Sequence, residues 1–123
     1  MLEREPGRYL ITQRSKIATL PLLWEFPGGR VMEGESDAEA LVRELKERLE
    51  LDVKVAELAM ATHHVYPEYD VDFHVFVCRL TRPAEPSHQK VNDHRWVTLA
   101  ETANYKFPDA DARTLEKLLD LDH

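Results

Sequence analysis

The amino-acid sequence predicts an α/β fold in which a mixed β-sheet lies between helices. Three observations indicate this class. A capped amphipathic helix is predicted over residues 37–49, two long strand-like runs follow it, and a second apolar helical stripe lies near the carboxyl end. Strands before and after the first helix, together with a closing helix, are typical of a sheet that is covered on each side.

A single domain is expected, because 123 residues are enough to bury one hydrophobic core but too few for two independent domains. Charged residues make up 32% and the hydrophobic class 43% of the chain, which excludes a disordered protein. No apolar run approaches the roughly 20 residues that cross a bilayer, and the start MLEREPGRYL lacks the layout of a signal peptide, so we expect a cytoplasmic protein. The formal charge of -7 argues against general nucleic-acid binding but allows a phosphorylated ligand held through a divalent cation.

The part of the chain before the helix is predicted to contain a strand, a loop and a turn. RYLITQ at residues 8–13 alternates its side chains between two faces, which predicts a short strand. Residues 15–25 have no steady period and end in an apolar patch, so they are predicted to form a loop that closes into a short strand. The Pro-Gly-Gly run at residues 27–29 predicts a turn at which the backbone can approach a ligand closely.

The predicted helix has a start signal and an apolar stripe. Ser36 and Glu39 have the spacing of a capping box, in which each side chain accepts a hydrogen bond from the backbone of the other residue. The apolar stripe continues at helical spacing through Ala38, Leu41, Val42, Leu45 and Leu49.

The part after the helix is predicted to begin with two long strands, VKVAELAMATHHVY at residues 53–66 and YDVDFHVFVCRL at residues 69–80. The second is apolar on both faces, as a central strand must be when helices cover each side. Cys78 in this strand is expected to be a buried, reduced thiol. The remaining elements are a surface loop, a short strand and a closing helix, at residues 81–93, 94–99 and 109–120.

Two carboxylates on the helix form a candidate metal site. Glu44 and Glu47 are three residues apart, so their side chains lie on one helical face about one turn apart. Both can reach one hard cation, since Mg²⁺ and Ca²⁺ take oxygen ligands at roughly 2.0–2.6 Å. The glycine turn before the helix can add a backbone carbonyl. From the spacing alone, the alternative is a pair of solvated carboxylates on an amphipathic helix.

The spacing of charged residues and glycine around the helix resembles the Nudix box. The run WEFPGG resembles the form found in the MutT-like branch. GRYLITQR, the box, VDFHVFVCRL, RWVTL and KFPDAD occur along the chain in MutT-like order. The resemblance extends over nearly the whole chain and implies the α/β/α sandwich of that family. The matching box positions, with five, seven and one residues between successive groups, are Gly29, Glu35, Arg43-Glu44-Leu45 and Glu47.

The resemblance implies Mg²⁺-dependent hydrolysis of a nucleoside triphosphate, or a related nucleoside diphosphate derivative, to a monophosphate and pyrophosphate. Glu44 and Glu47 are implied to be catalytic and, with the carbonyl of Gly28, to hold Mg²⁺, with Mn²⁺ as the alternative ion. The cation neutralises phosphate oxygens and positions the attacking water, and a carboxylate can serve as general base. The structural members of the box are implied to be Gly29, Glu35 and Arg43, of which the last two pair loop with helix.

Residues outside the box are implied to bind the substrate. Arg14 follows the first strand, where MutT-like proteins have a basic residue near the substrate. Phe26, Phe107 and Asp111 correspond to positions near the base pocket, where a carboxylate can read a purine edge. The alternatives are a solvated surface charge for Arg14 and, for Asp111, an acid that the helix dipole favours in the first turn of the closing helix.

Three positions depart from the Nudix pattern. Arg48 stands where a principal metal-binding glutamate is expected, and its spacing from Glu44 favours a salt bridge between the two. Glu50 replaces the glycine that normally ends the helix in a left-handed conformation, so the helix end is expected to shift or to be strained. Lys90 lies where relatives often carry a further carboxylate. Arg48 and Lys90 are predicted to weaken divalent-cation binding or to contact phosphates directly.

Two functions therefore remain open from the sequence. The first is a MutT-like pyrophosphohydrolase. The second is a degenerate Nudix domain that binds a nucleotide or another phosphorylated ligand without turnover through Arg14, Arg48 and Lys90. A structural or interaction module that keeps only the fold is the third alternative.

The start of the chain and its histidines give two weaker predictions. MLEREP has room for only the end of the strand that usually precedes GRYLITQR, so an upstream segment is predicted to be missing, and the open sheet edge favours a homodimer. The histidines lack the His-x-x-x-His pattern of a metal site, and we predict that they are structural or solvated, with His94 as the candidate nearest the substrate. The histidines in question, five of the six in the chain, are His63, His64, His74, His88 and His94.

Overall fold

The computed structural model of the chain describes residues 1–28, 32–65, 67–68 and 70–108, with the backbone alone at residues 62, 64 and 71–73. Within these ranges it contains six strands, one α-helix and one 3-10 helix. The strands are β1 (Leu2–Glu5), β2 (Arg8–Gln13), β3 (Trp24–Glu25), β4 (Val53–Val65), β5 (Asp70–Leu80) and β6 (Asp93–Val97). The helices are α1 (Asp37–Leu49) and the 3-10 helix Ala100–Asn104.

The strands form one mixed sheet with the order β3-β2-β1-β5-β4, and β6 pairs with β2. β1 is parallel to β5, whereas β2 is antiparallel to β1, β3 and β6, and β4 is antiparallel to β5. The pairing of β2 with β6 runs from Tyr9 opposite Val97 to Gln13 opposite Asp93. Because β3 pairs with Thr12 and Gln13, the start of β6 lies on one side of the end of β2 and β3 lies on the other.

The amino end of α1 forms as the sequence predicts. The hydroxyl of Ser36 accepts a hydrogen bond from the Glu39 backbone N–H at 3.1 Å, and the Glu39 carboxylate accepts one from the Ser36 N–H at 3.0 Å. This capping box satisfies two backbone donors that the helix itself cannot pair. The predicted helix over residues 37–49 is confirmed.

The carboxyl end of α1 has a strained backbone at the position where the Nudix pattern has glycine. Glu50 lies in the left-handed region with φ 57° and ψ 36°, and its backbone N–H donates to the carbonyl of Lys46 at 3.0 Å. This is the hydrogen bond of the αL cap that glycine usually makes. The helix end therefore has not shifted, and the expected strain falls on the backbone of Glu50, because a side chain is unfavourable in this conformation.

The sheet has a buried cluster on each face. Tyr9 packs against one cluster and Leu10 belongs to the other, as neighbouring side chains of a strand must point to opposite faces. The cluster on the side of α1 is formed by Leu2, Leu10, Leu45, Leu49, Leu51, Val53, Cys78 and Val91. The cluster on the opposite face is formed by Met1, Met60, Val77 and Leu99, with Tyr9, Phe26 and Phe107 packed against it.

Cys78 is fully buried in the first of these clusters as a free thiol, which confirms the sequence prediction. Burial raises the pKa of the Cys78 thiol, because the charged thiolate is poorly solvated there. The thiol is therefore an apolar packing element, and the described residues contain no disulfide.

The predicted α/β class and the strands on both sides of α1 are confirmed. The predicted closing helix at residues 109–120 lies outside the described residues. β1 is hydrogen-bonded to β2 on one side and to β5 on the other, so the open sheet edge expected at the start of the chain is wrong for this strand. The homodimer itself stays a prediction. Within the described ranges, no helix is long and apolar enough to cross a membrane.

Candidate functional site

An ion pair connects the turn before α1 to the helix. Arg43 donates from Nε to Glu35 Oε2 at 2.7 Å and from Nη2 to Glu35 Oε1 at 3.0 Å. The same carboxylate accepts the backbone N–H of Met32 at 2.8 Å. These bonds hold the pKa of Glu35 below its ordinary value, mainly through the hydrogen bond from Arg43, and they raise the pKa of the guanidinium. The structure thus brings together the two residues that the Nudix resemblance pairs.

The two candidate metal-binding glutamates lie against the same guanidinium. Arg43 Nη1 is 3.0 Å from Glu44 Oε1 and 3.1 Å from Glu47 Oε2. The Glu44 side chain is 16% exposed and that of Glu47 is 56% exposed, so the first carboxylate is enclosed and the second faces solvent. Because one nitrogen contacts both carboxylates, the two lie on one face of α1 and can approach a common cation.

Arg48 contacts the glycine turn. Its Nη1 donates to the carbonyl of Gly28 at 3.3 Å, and its Nη2 lies 3.6 Å from Glu25 Oε1. The predicted salt bridge from Arg48 to Glu44 is wrong within the described residues, because Arg43 pairs with Glu44 and the Arg48 side chain extends instead from α1 to the turn. A positive charge thus lies against the carbonyl that the Nudix resemblance assigns to a metal ion.

Glu25 is a site residue that the sequence analysis missed. It lies on β3, its side chain is 17% exposed, and its Oε2 accepts a hydrogen bond from Arg14 Nη1 at 3.0 Å. Its Oε1 is buried and has no hydrogen-bond partner among the described residues, with Arg48 at ion-pair distance. The available signal was an acid within the otherwise apolar run WEFP, a pattern that indicates a paired buried carboxylate.

Arg14, a predicted substrate residue, is turned toward the protein. Besides its bond to Glu25, its Nε donates to the carbonyl of Thr19 in the loop that follows β2. The Arg14 side chain is 25% exposed. A phosphate at this position would share the guanidinium with Glu25 or replace Glu25 as its partner.

The aromatic candidates meet on the face of the sheet opposite α1. The rings of Phe26 and Phe107 are 5.7 Å apart between centroids, and both pack against the cluster that contains Met60 and Leu99. Both rings are half-buried, which leaves an apolar surface beside β3. Lys90 is exposed in the loop before β6 and has no ion pair with any described residue. The other two predicted site residues, Gly29 and Asp111, lie outside the described residues.

The donor atoms near the turn suit a hard divalent cation in their chemistry. Glu44, Glu47 and the carbonyl of Gly28 offer oxygen ligands, which Mg²⁺ requires, and Glu25 adds a further carboxylate. The carboxylates of Glu25, Glu44 and Glu47 do not converge to within 4.8 Å as a group in the described part of the chain. Because the guanidinium groups of Arg43 and Arg48 contact these oxygens, a cation at this place would compete with both groups.

The chain can now be compared with known proteins. A family model described as NUDIX domain matches residues 1–117. The chain belongs to the Nudix family. The α/β sandwich is thus that of a MutT-like Nudix hydrolase, an enzyme of the Nudix type.

Two curated relatives of this Nudix hydrolase align over nearly their whole length. The 8-oxo-dGTP diphosphatase of Haemophilus influenzae is 29% identical over 100% of this chain and 90% of its own. The CTP pyrophosphohydrolase of Escherichia coli is 30% identical over 98% of this chain and 88% of its own. The two relatives bear the names of different nucleotides, so the family relationship alone does not identify a base.

Solved MutT structures share the fold. A MutT structure described for Aliivibrio salmonicida and Vibrio cholerae has a TM-score of 0.68 at 27% identity and covers 98% of this chain and 92% of its own. The MutT protein of Methanosarcina mazei has a TM-score of 0.76 at 22% identity, with 98% and 89% of the two chains covered, which supports the fold alone.

Proposed function

We propose that this Nudix hydrolase cleaves a nucleoside triphosphate, or a related nucleoside diphosphate derivative, to a monophosphate and pyrophosphate in the presence of Mg²⁺. The observation that carries the proposal is the position of Glu44 and Glu47 on one face of α1, both within 3.1 Å of one guanidinium nitrogen. The names of the two curated relatives, one acting on 8-oxo-dGTP and one on CTP, support a nucleotide substrate.

The residues that would hold the cation are Glu44, Glu47 and Gly28 through its carbonyl, with Mn²⁺ as the alternative ion. When bound, the cation supplies charge neutralisation on the phosphate oxygens. Glu44 is the more enclosed of the two carboxylates, which supports Glu44 as the residue that would accept a proton from the attacking water.

The remaining substrate contacts follow from charge and exposure. Arg14 and Lys90 are cations that can bind phosphate oxygens, and Lys90 is exposed without an ion-pair partner in the described ranges. The apolar surface of Phe26 and Phe107 can stack against a base, as aromatic side chains do in single-nucleotide recognition. Asp111 is retained as a proposed base contact from the Nudix resemblance.

One observation favours the second candidate, a Nudix domain that binds a nucleotide without turnover. Arg48 donates to the Gly28 carbonyl and pairs with Glu25, so the cation site contains a positive side chain. An arginine cannot ligate Mg²⁺. In this candidate the guanidinium groups of Arg48 and Arg14 contact phosphates directly and the glutamates keep a structural role.

The deciding experiment measures pyrophosphate release from a panel of nucleoside triphosphates that includes 8-oxo-dGTP and CTP. Each nucleotide is assayed once with Mg²⁺ and once with excess chelator. The first candidate predicts activity that requires the cation and that falls about 100-fold or more in Glu44→Gln. Glu33→Gln is the matched control, because Glu33 is an exposed glutamate in the turn before α1. Activity that survives in Glu44→Gln or in chelator would contradict the proposal.

A double variant separates the two candidates when the natural chain shows no turnover. If Arg48→Glu together with Lys90→Glu gains Mg²⁺-dependent activity, the natural chain is a binding domain whose cation site is blocked. If neither form gains thermal stability with any nucleotide in the panel, both candidates fail and an interaction module remains. A homodimer and a cytoplasmic location stay predictions from the sequence.

A further inference from the structure

A second group of potential metal ligands lies at the start of β6. One ligand atom each from His88, Asp93 and His94 lies within 4.8 Å of the other two. His88 is in the loop between β5 and β6, and the other two residues begin β6. None of the three belongs to α1 or to the glycine turn, so this cluster differs in its ligands from the carboxylate site.

Backbone bonds hold the cluster in place on both sides. On β6, Asp93 lies opposite Gln13 and His94 opposite Thr12, in register with β2. In the loop, the N–H of Ser87, next to His88, donates at 2.9 Å to the carbonyl of Leu49, the last residue of α1. The loop that carries His88 is therefore attached to the helix, and the strand that carries His94 is attached to the sheet.

The two imidazoles face each other through ring nitrogens. His88 Nε2 lies 2.6 Å from His94 Nδ1, and the rings meet edge to face at 66°. Two lone pairs cannot approach this closely without a proton or a cation between them. A neutral imidazole offers one donor and one acceptor nitrogen, so the pair can share a hydrogen when no ion is bound.

Glu85 determines which nitrogen of His94 carries the hydrogen. Its Oε2 lies 3.1 Å from His94 Nε2 and also accepts the indole N–H of Trp96 at 3.1 Å. A carboxylate oxygen accepts hydrogen bonds, so this contact favours the hydrogen on Nε2. Nδ1 of His94 then presents a lone pair to His88. Metal-binding histidines usually donate their other ring N–H to a carboxylate in this way.

Asp93 supplies the third donor atom, a carboxylate oxygen. Its Oδ1 accepts the backbone N–H of His94 at 2.8 Å, and its Oδ2 accepts from Arg95 Nη1 at 2.7 Å. A carboxylate has about four lone-pair positions, so each oxygen can accept a further bond.

We propose that His88, Asp93 and His94 form a binding site for Zn²⁺ or a similar divalent transition-metal ion. Two imidazoles and one carboxylate suit Zn²⁺, whereas Mg²⁺ prefers oxygen ligands only. Three protein ligands leave a fourth tetrahedral position for water. The bound ion fixes the loop of residues 81–92 against β6, and Lys90 lies in that loop.

The observed geometry requires only a small adjustment for this role. Zinc–nitrogen bonds of about 2.0 Å in a tetrahedron separate two ligand nitrogens by about 3.3 Å. The two histidine nitrogens are 2.6 Å apart, so the rings must separate by less than about 1 Å. His88 is exposed and lies in a loop, so its side chain can make this movement.

The test measures Zn²⁺ binding to the untagged, chelator-treated chain of 123 residues in a buffer with excess Mg²⁺, by titration calorimetry and by the visible spectrum of bound Co²⁺. We expect one tightly bound Zn²⁺ ion per chain and a Co²⁺ spectrum typical of tetrahedral coordination. His88→Ala should weaken binding roughly 100-fold, and Glu85→Gln by about tenfold, because the carboxylate only orients His94. His63→Ala is the control, since this exposed histidine lies on β4 away from β6.

Two further outcomes decide the inference. Equal Zn²⁺ affinity in the natural chain and in His88→Ala, or no stoichiometric binding by a chain whose melting curve shows it folded, would overturn it. Glu44→Gln should bind Zn²⁺ with the affinity of the natural chain, because Glu44 belongs to the carboxylate site on α1 and not to the histidine cluster. The inference therefore stands or falls separately from the proposed hydrolase activity.

Discussion

Arg43 and Arg48 lie against the oxygen atoms that the Nudix pattern assigns to a divalent cation. Arg43 contacts Glu44 and Glu47, and Arg48 contacts the carbonyl of Gly28. The two arginines differ in what a cation must overcome. If a metal displaces Arg43 from Glu44 and Glu47, Arg43 keeps Glu35 as a bidentate partner. If a metal displaces Arg48, the buried carboxylate of Glu25 loses one of its ion-pair partners. Arg48 is therefore the main obstacle to cation binding.

The ion pair of Glu35 with Arg43 predicts a pH dependence of stability. The pKa of Glu35 is lower in the folded chain than its ordinary value of 4.5, chiefly because of the hydrogen bond from Arg43. The pair therefore stabilises the fold fully above the unfolded pKa, and this contribution is lost as pH falls through the folded value. Glu35→Gln should lower the melting temperature at neutral pH, and the difference from the natural chain should shrink in acid.

Melting curves from neutral pH into the acid range measure this effect by circular dichroism. Glu33→Gln is the matched control, because it removes a carboxylate from the same turn and should leave the melting temperature within error at each pH. A Glu35→Gln difference that stays constant into acid would show that the side chain acts through packing and not through its charge.

At the level of elements, the termini of α1 differ in how far the sequence could predict them. The capping box depends on Ser36 and Glu39 alone, so local spacing was sufficient. The carboxyl end depends on whether Glu50 accepts a left-handed backbone or the helix ends elsewhere. In the structure Glu50 has the strained left-handed backbone, and the next residue, Leu51, is fully buried. Burial of Leu51 in the core cluster explains why the chain keeps this helix end.

This strained end predicts a stabilising substitution. A non-glycine residue in the left-handed region costs about 1–2 kcal/mol, and glycine loses part of that gain, about 0.5–1 kcal/mol, through greater freedom of the unfolded chain. Glu50→Gly should therefore raise the free energy of unfolding by about 0.5–1 kcal/mol.

Urea unfolding at neutral pH measures this difference. Glu50→Gln is the control, because it removes the charge and keeps the Cβ that causes the strain. Equal stabilisation by both variants would mean that the charge of Glu50, and not its backbone conformation, is the source of the effect.

For the molecule as a whole, local sequence patterns predicted α1 and the strands β2, β4, β5 and β6, because each has its pattern within a few consecutive residues. The candidate site was harder to predict, since its contacts join distant segments. Arg48 reaches Glu25 only because β3 and the glycine turn pass beside α1. His88 meets His94 because the loop end is bonded to α1 while β6 is paired with β2. Both contacts join residues that no local motif connects. Sequence spacing therefore predicted Glu44 as the partner of Arg48 and a structural or solvated position for the histidines.

The core on the α1 side is where the helix, the sheet and the candidate site depend on one another. Leu45 is 2% exposed in this cluster and follows Glu44, so it fixes the rotation of the helix that presents the carboxylates. Leu45→Ala should lower the free energy of unfolding by about 2–5 kcal/mol, because the cavity adds to the lost burial. Val42→Ala is the matched control on the same helix, since Val42 is 39% exposed and should cost less than about 1 kcal/mol. Chemical unfolding of both variants provides the measurement, and a similar small cost for the two would show that α1 is not packed on the sheet through Leu45.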